Sequence, residues 1–119
     1  MNETTTGVIR NNTFTRMRSV GVCLNYPGPV NSLLVENNTI TGNATNIAQF
    51  QDWCGNRGVH GGMHICVWNQ DGTGITLRGN TMSNNNRRAL FVDRGTLVRN
   101  DGGNTSGGEE CIPATMCDP

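Results

Sequence analysis

The sequence has no lysine. Its nine basic residues are all arginine, scattered along 119 positions and balanced by nine acids to a net charge of zero. A nucleic-acid surface needs a concentrated basic patch to gather phosphates, so that class of partner is excluded. No apolar run approaches the ~20 residues of a membrane-spanning helix. The opening Met1-Asn2-Glu3-Thr4-Thr5-Thr6 has neither a basic nor an apolar region and does not read as a secretory signal. Helix formers are scarce as well. Gly, Asn and Thr fill 47 of the 119 positions, and these residues either loosen the backbone or hydrogen-bond to it locally against a helix. Disorder is not the reading, because short apolar runs recur at 21–24, 33–35, 64–68 and 89–92, and charge is low. One folded, strand-rich domain fits the length.

What the chain has instead is a repeated phrase. Ile9-Arg10-Asn11-Asn12-Thr13-Phe14 returns as Val35-Glu36-Asn37-Asn38-Thr39-Ile40 and as Leu77-Arg78-Gly79-Asn80-Thr81-Met82. Val98-Arg99-Asn100-Asp101-Gly102 is a decayed copy. The aligned apolar positions Ile9, Val35, Leu77 and Val98 are separated by 26, 42 and 21 residues. An insertion at 41–62, holding Phe50, Trp53 and Cys54, accounts for the long interval. Around each phrase the order is strand, loop, strand, Asn turn, short strand, polar turn. The strand segments are 21–24, 32–36, 63–68, 75–78, 89–92 and 96–99. The loop at 25–31 contains Pro27 and Pro29, which cannot sit inside a paired strand.

Units of this length with three short strands fit the coil of a parallel β-helix. The phrase resembles the right-handed parallel β-helix repeats of the pectate-lyase-like superfamily, with Asn12, Asn38 and Asn80 matching the Asn that those proteins stack at a turn. The resemblance implies an all-β, right-handed parallel β-helix solenoid of about four coils over residues 1–106. An irregular Gly- and Cys-containing tail follows at 107–119, which reads as the start of a further module. A side-chain amide both donates and accepts, so identical Asn in adjacent coils satisfy one another in a ladder. In the last copy, Asp101-Gly102 is expected to end it. The superfamily contains lyases, hydrolases, epimerases, phage tailspikes and non-catalytic surface proteins, so the fold does not choose a function.

Five Cys in so short a chain point to disulfides and an oxidising compartment. Strand alternation with Val22, Ile65 and Leu90 pointing inward aligns Cys23 with Cys66 on neighbouring coils, and this predicts a Cys23–Cys66 bridge. Cys111–Cys117 is the expected second pair, with Cys54 left over. Five Asn match the glycosylation pattern: Asn2, Asn11, Asn37, Asn43 and Asn104. An extracellular or cell-surface location follows as the expectation, for a piece of a longer secreted chain.

Outward positions His64, Trp68 and Asp93, with Asn25, Tyr26, Asp71 and Arg94 nearby, make the candidate site. Trp68, Tyr26 and Asn25 suit a sugar face, whereas Asp93, Asp71, Arg94 and His64 are the catalytic candidates. A hydrolase needs paired carboxylates, and only Asp93 and Asp71 offer themselves. A lyase needs a carboxylate cluster for Ca²⁺, which is not visible, so Ca²⁺ belongs to the lyase alternative alone and no other cofactor or metal is expected. His60 and His64 flank Gly61-Gly62, which argues against a helical metal pair. The leading expectation is a non-catalytic structural or adhesive segment of a larger, glycosylated extracellular protein or filament. It would associate with itself, with flanking chain or with glycans. A polysaccharide lyase or hydrolase, or a carbohydrate-binding module on the same face, is the alternative.

Overall fold

A computed structural model describes residues 5–17, 20–26, 30–43, 61–67, 74–85, 88–94 and 98–118, apart from the side chains of Thr5, Asn25, Tyr26, Val30, Asn31, Cys66, Val67, Asp93 and Arg94. The elements are β1 (Thr5–Arg10), β2 (Thr13–Thr15), β3 (Val20–Tyr26), β4 (Val30–Glu36), β5 (Thr39–Thr41), β6 (Gly61–Val67), β7 (Ile75–Arg78), β8 (Thr81–Ser83), β9 (Arg88–Arg94), β10 (Val98–Asn100) and β11 (Glu110–Ile112). A short 3₁₀ turn, Ala114–Met116, follows. All pairing between these strands is parallel, in three sheets ordered β1-β4-β7-β10, β2-β5-β8 and β11-β9-β6-β3. Consecutive strands lie in different sheets, and up to β10 every third strand returns to the same one, after which β11 joins β9. Parallel strands stacked in this way fit a β-solenoid.

The register explains the repeat. Ile9, Val35 and Leu77 stand beside one another, as do Phe14, Ile40 and Met82. These rows point inward with Leu33, Ile75, Met63, Ile65 and Leu90 to form the core. Strand parity puts the charged residues and the Thr of the same phrases outside. The short strands β2, β5 and β8 each start after a corner at which one residue adopts left-handed backbone, Asn11 (φ 59°), Asn37 (φ 54°) and Gly79 (φ 66°), and Gly103 (φ 74°) does the same before the Thr105 bridge to Thr81. Asn and Gly tolerate that conformation best, which is why the phrase keeps one or the other there.

Three expectations require correction. The expected row alignment, and not the Cys23–Cys66 bridge itself, is what changes: Cys23 stands opposite His64, which stands opposite Phe91, while Val22 aligns with Met63 and Met63 with Leu90. The strand β6 begins at Gly61, two residues earlier than its apolar run suggests, so the row shifts by two. Cys66 stands opposite Asn25, and its side chain lies outside the described residues. Cys23 is disulfide-bonded. The tail is not wholly irregular: β11 pairs with β9, and Cys111, Met116 and Cys117 pack against the core, while the expected Cys111–Cys117 disulfide is present. Finally, the insertion is narrower than 41–62, since Thr41 lies in β5, Gly42-Asn43 form a corner and Gly61-Gly62 open β6.

Candidate functional site

The most developed polar arrangement is a pair of side-chain ladders along the stack. In the first, the backbone N–H and Nδ2 of Asn12 donate to Asn38 Oδ1 at 3.0 and 3.3 Å. Asn38 donates in the same two ways to Asn80 Oδ1, both at 3.1 Å. Asn80 donates to Asn104 Oδ1 at 3.1 and 2.8 Å. The second proton of each Nδ2 goes back to a strand carbonyl one coil earlier: Asn38 to Ile9, Asn80 to Val35 and Asn104 to Leu77, each at 2.9 Å. Asn38, Asn80 and Asn104 are buried, so these bonds satisfy amides that would otherwise be costly inside. The ladder therefore runs past Asp101-Gly102, where it was expected to end.

A second ladder, missed in the sequence, runs down the next corner. The Met17 N–H donates to Asn43 Oδ1, and Asn43 donates to Asn85 Oδ1 through both its N–H and its Nδ2. Asn85 Nδ2 reaches Glu109 Oε1 at 3.5 Å and the Ile40 carbonyl at 2.9 Å. The signal was present: Asn43 and Asn85 lie 42 residues apart, the same interval as Asn38 and Asn80.

Outside, a third row carries charge. Arg10 Nε meets Glu36 Oε1 at 2.8 Å, Arg78 Nη1 meets Glu36 Oε2 at 3.2 Å, and Arg78 Nη2 meets Asp101 Oδ2 at 2.6 Å. The Arg10 hydrogen bond, helped by Arg78 and partly opposed by burial, holds the Glu36 carboxyl below its usual range. Asp101 and then Glu36 raise the Arg78 guanidinium above its usual value.

The last turn of the stack has its own chemistry. A concavity of about 590 Å³ is lined there by Asn100, Ser106, Glu109, Cys111, Thr115 and Asp118 among others. Asp118 accepts from the Gly103 N–H at 2.7 Å and from Asn100 Nδ2 at 3.2 Å, and its own N–H donates to the Asn104 carbonyl at 2.7 Å. Burial pushes the Glu109 carboxyl upward, opposed by hydrogen bonds from Asn85. Both carboxylates are engaged in closing the end of the stack.

The sequence-predicted site residues are only partly within view. Trp68, Asp71, Asn2 and Cys54 lie outside the described residues. The backbones of Asn25 and Tyr26 are in β3 and those of Asp93 and Arg94 in β9, but their side chains lie outside that set. His64 is fully buried with its ring edge-on to Phe91, centroids 5.4 Å apart, so it is not the open groove residue expected. Arg88 lies over the Phe91 ring at 5.2 Å and pairs with Glu110. Of the glycosylation candidates, Asn11 and Asn37 are exposed, whereas Asn43 and Asn104 are buried in the ladders. No group of three metal-ligating side chains occurs among the described residues, and no helix among them is long and apolar enough to cross a membrane.

No protein-family model matches the chain, and neither a curated protein nor a solved structure matches it.

Proposed function

We propose that this chain is a non-catalytic structural or adhesive segment of a larger extracellular protein, built as a right-handed parallel β-helix of the pectate-lyase-like kind. The observation that carries the reading is the pair of buried amide ladders. Side chains at these corners tie coil to coil, which makes a stiff stack. The ionic row Arg10–Glu36–Arg78–Asp101 adds an outer tie along the same axis. The Cys111–Cys117 bridge fits an oxidising, extracellular setting, and the exposed Asn11 and Asn37 would carry any glycans. Self-association or flanking chain supplies the partners, since each coil buries its face only against the next.

The test is a screen of polyuronides and neutral polysaccharides for product release, run beside a glycan-binding array. The expected result is no turnover. Release of new chain ends that disappears in Asp93→Ala would replace this reading with a lyase or hydrolase. Tight glycan binding without turnover would replace it with a carbohydrate-binding module.

A further inference from the structure

The two ends of the stack are built differently. At the far end Asp118 stands in for a further coil. Its N–H donates to the Asn104 carbonyl, as the Thr39, Thr81 and Thr105 N–H donate to Asn12, Asn38 and Asn80. At the near end no such substitute is present among the described residues. Asn12 instead turns its spare Nδ2 proton onto its own Arg10 carbonyl at 3.0 Å, where the other three ladder Asn reach a carbonyl one coil back. Asn12 is exposed, and Ile9 and Phe14 are only partly buried although their row partners Val35 and Ile40 are 1% and 0% exposed. The large exposed hydrophobics identified among the described residues, Val8 at 53% and Met17 at 44%, both belong to this first coil.

We propose that the face formed by β1, β2 and β3 is a docking surface for one more polypeptide coil of the same build, stacked in parallel register. This deepens the structural reading above and rests on it. Ladder polarity selects the occupant. Asn12 Oδ1 faces outward as an acceptor, so the incoming coil brings an Asn whose N–H and Nδ2 donate to it and whose carbonyl takes the Thr13 N–H. The outer row alternates Arg10, Glu36, Arg78, Asp101, so the incoming residue beside Arg10 is an acid. The occupant thus carries an apolar residue, Glu or Asp, Asn or Gly, Asn, then Thr. Two copies meeting by this face would set acceptor against acceptor, and the opposite end is closed by Asp118.

Hydrogen exchange on the full chain tests this with a peptide copying residues 30–43, which places an acid and an Asn at the required positions. Excess peptide is expected to slow the Thr13 amide at least about tenfold, the effect of closing a frayed edge strand. Peptides carrying Asn38→Ala or Glu36→Lys should slow it far less. A second form tethers a copy of residues 30–41 followed by a copy of residues 16–29 ahead of residue 5, which keeps the order of strands around a coil and supplies a millimolar-range effective concentration. It should raise Tm, and Asn38→Ala in the added copy should cancel the gain. No slowing by the peptide together with no rise in Tm overturns the proposal, as does equal slowing by the altered peptides. A chain that sediments as a dimer with Thr13 already protected overturns it in favour of a second copy. These readouts are blind to polysaccharide turnover, so they fail independently of the functional reading.

Discussion

Two rows climb the same stack a few ångströms apart and illustrate opposite physics. The inner row, Asn12–Asn38–Asn80–Asn104, is neutral and mostly buried. The outer row, Arg10–Glu36–Arg78–Asp101, is fully charged, and its arginines are half exposed. The buried amides of Asn38, Asn80 and Asn104 have no water to fall back on, so deleting one of them strands the donors of its neighbour at full desolvation cost. Members of the outer row exchange one another for water at little cost, and salt screens what remains. The same repeat therefore holds the coils from inside and only trims the surface from outside.

The sharpest way to break that contrast is Asn80→Ala. It orphans the Asn38 N–H, the Asn38 amide and the Val35 carbonyl. A loss of about 3 kcal/mol is expected in denaturant unfolding, with an unchanged slope. Asn12→Ala removes the same kind of group at the exposed end, where water replaces the lost partners, and should cost about 1 kcal/mol. Equal losses at the two positions would mean that burial is not what gives the ladder its weight.

Glu109→Gln sharpens the comparison at the charged terminus of the second ladder, below Asn43 and Asn85. Burial raises the Glu109 carboxyl, so the folded state favours its protonated form. That contribution is complete below the ordinary carboxylate range and is lost as pH rises through the raised value. At neutral pH the ionised group therefore costs stability, and Gln should raise Tm slightly, with the gain vanishing in acid. The smallest effect belongs to Glu36→Gln. The Glu36 carboxyl is depressed from 4.5, so its contribution is present above that value and is lost as pH falls through the lower, folded-state value. The variant should match the parent in high salt and fall marginally below it in low salt at neutral pH.

Asn12, Asn38 and Asn80 were legible because they sit inside a phrase whose apolar and charged flanks also recur. Asn43, Asn85 and Glu109 were not, because their flanks differ and only the spacing repeats. Asn104 hid behind the decayed copy: Asn100, not Val98, stands beside Leu77, and one further residue at the Gly102-Gly103 corner puts the ladder Asn three places past the expected Asp101. The register slip in β6 has a related cause. Gly61-Gly62 look like loop, yet a side chain at 62 would collide with the Ala89 carbonyl oxygen, so glycine is what lets the strand start there. An outward His64 buried beside Phe91 was also invisible, because strand parity assigns a face and says nothing of what covers it. The grouping of Trp68, Asp71 and Asp93 rests on residues or side chains outside those described.

Native-state hydrogen exchange at the ladder positions tests the central claim most directly. The Asn12, Asn38 and Asn80 N–H groups make the same bond, each to the next Asn Oδ1 at 3.0 to 3.1 Å. The Asn38 and Asn80 amides should exchange only through global unfolding, while Asn12 exchanges through local opening at the end of the stack. If all three exchange at one fast rate, the amide ladder does not hold this fold together.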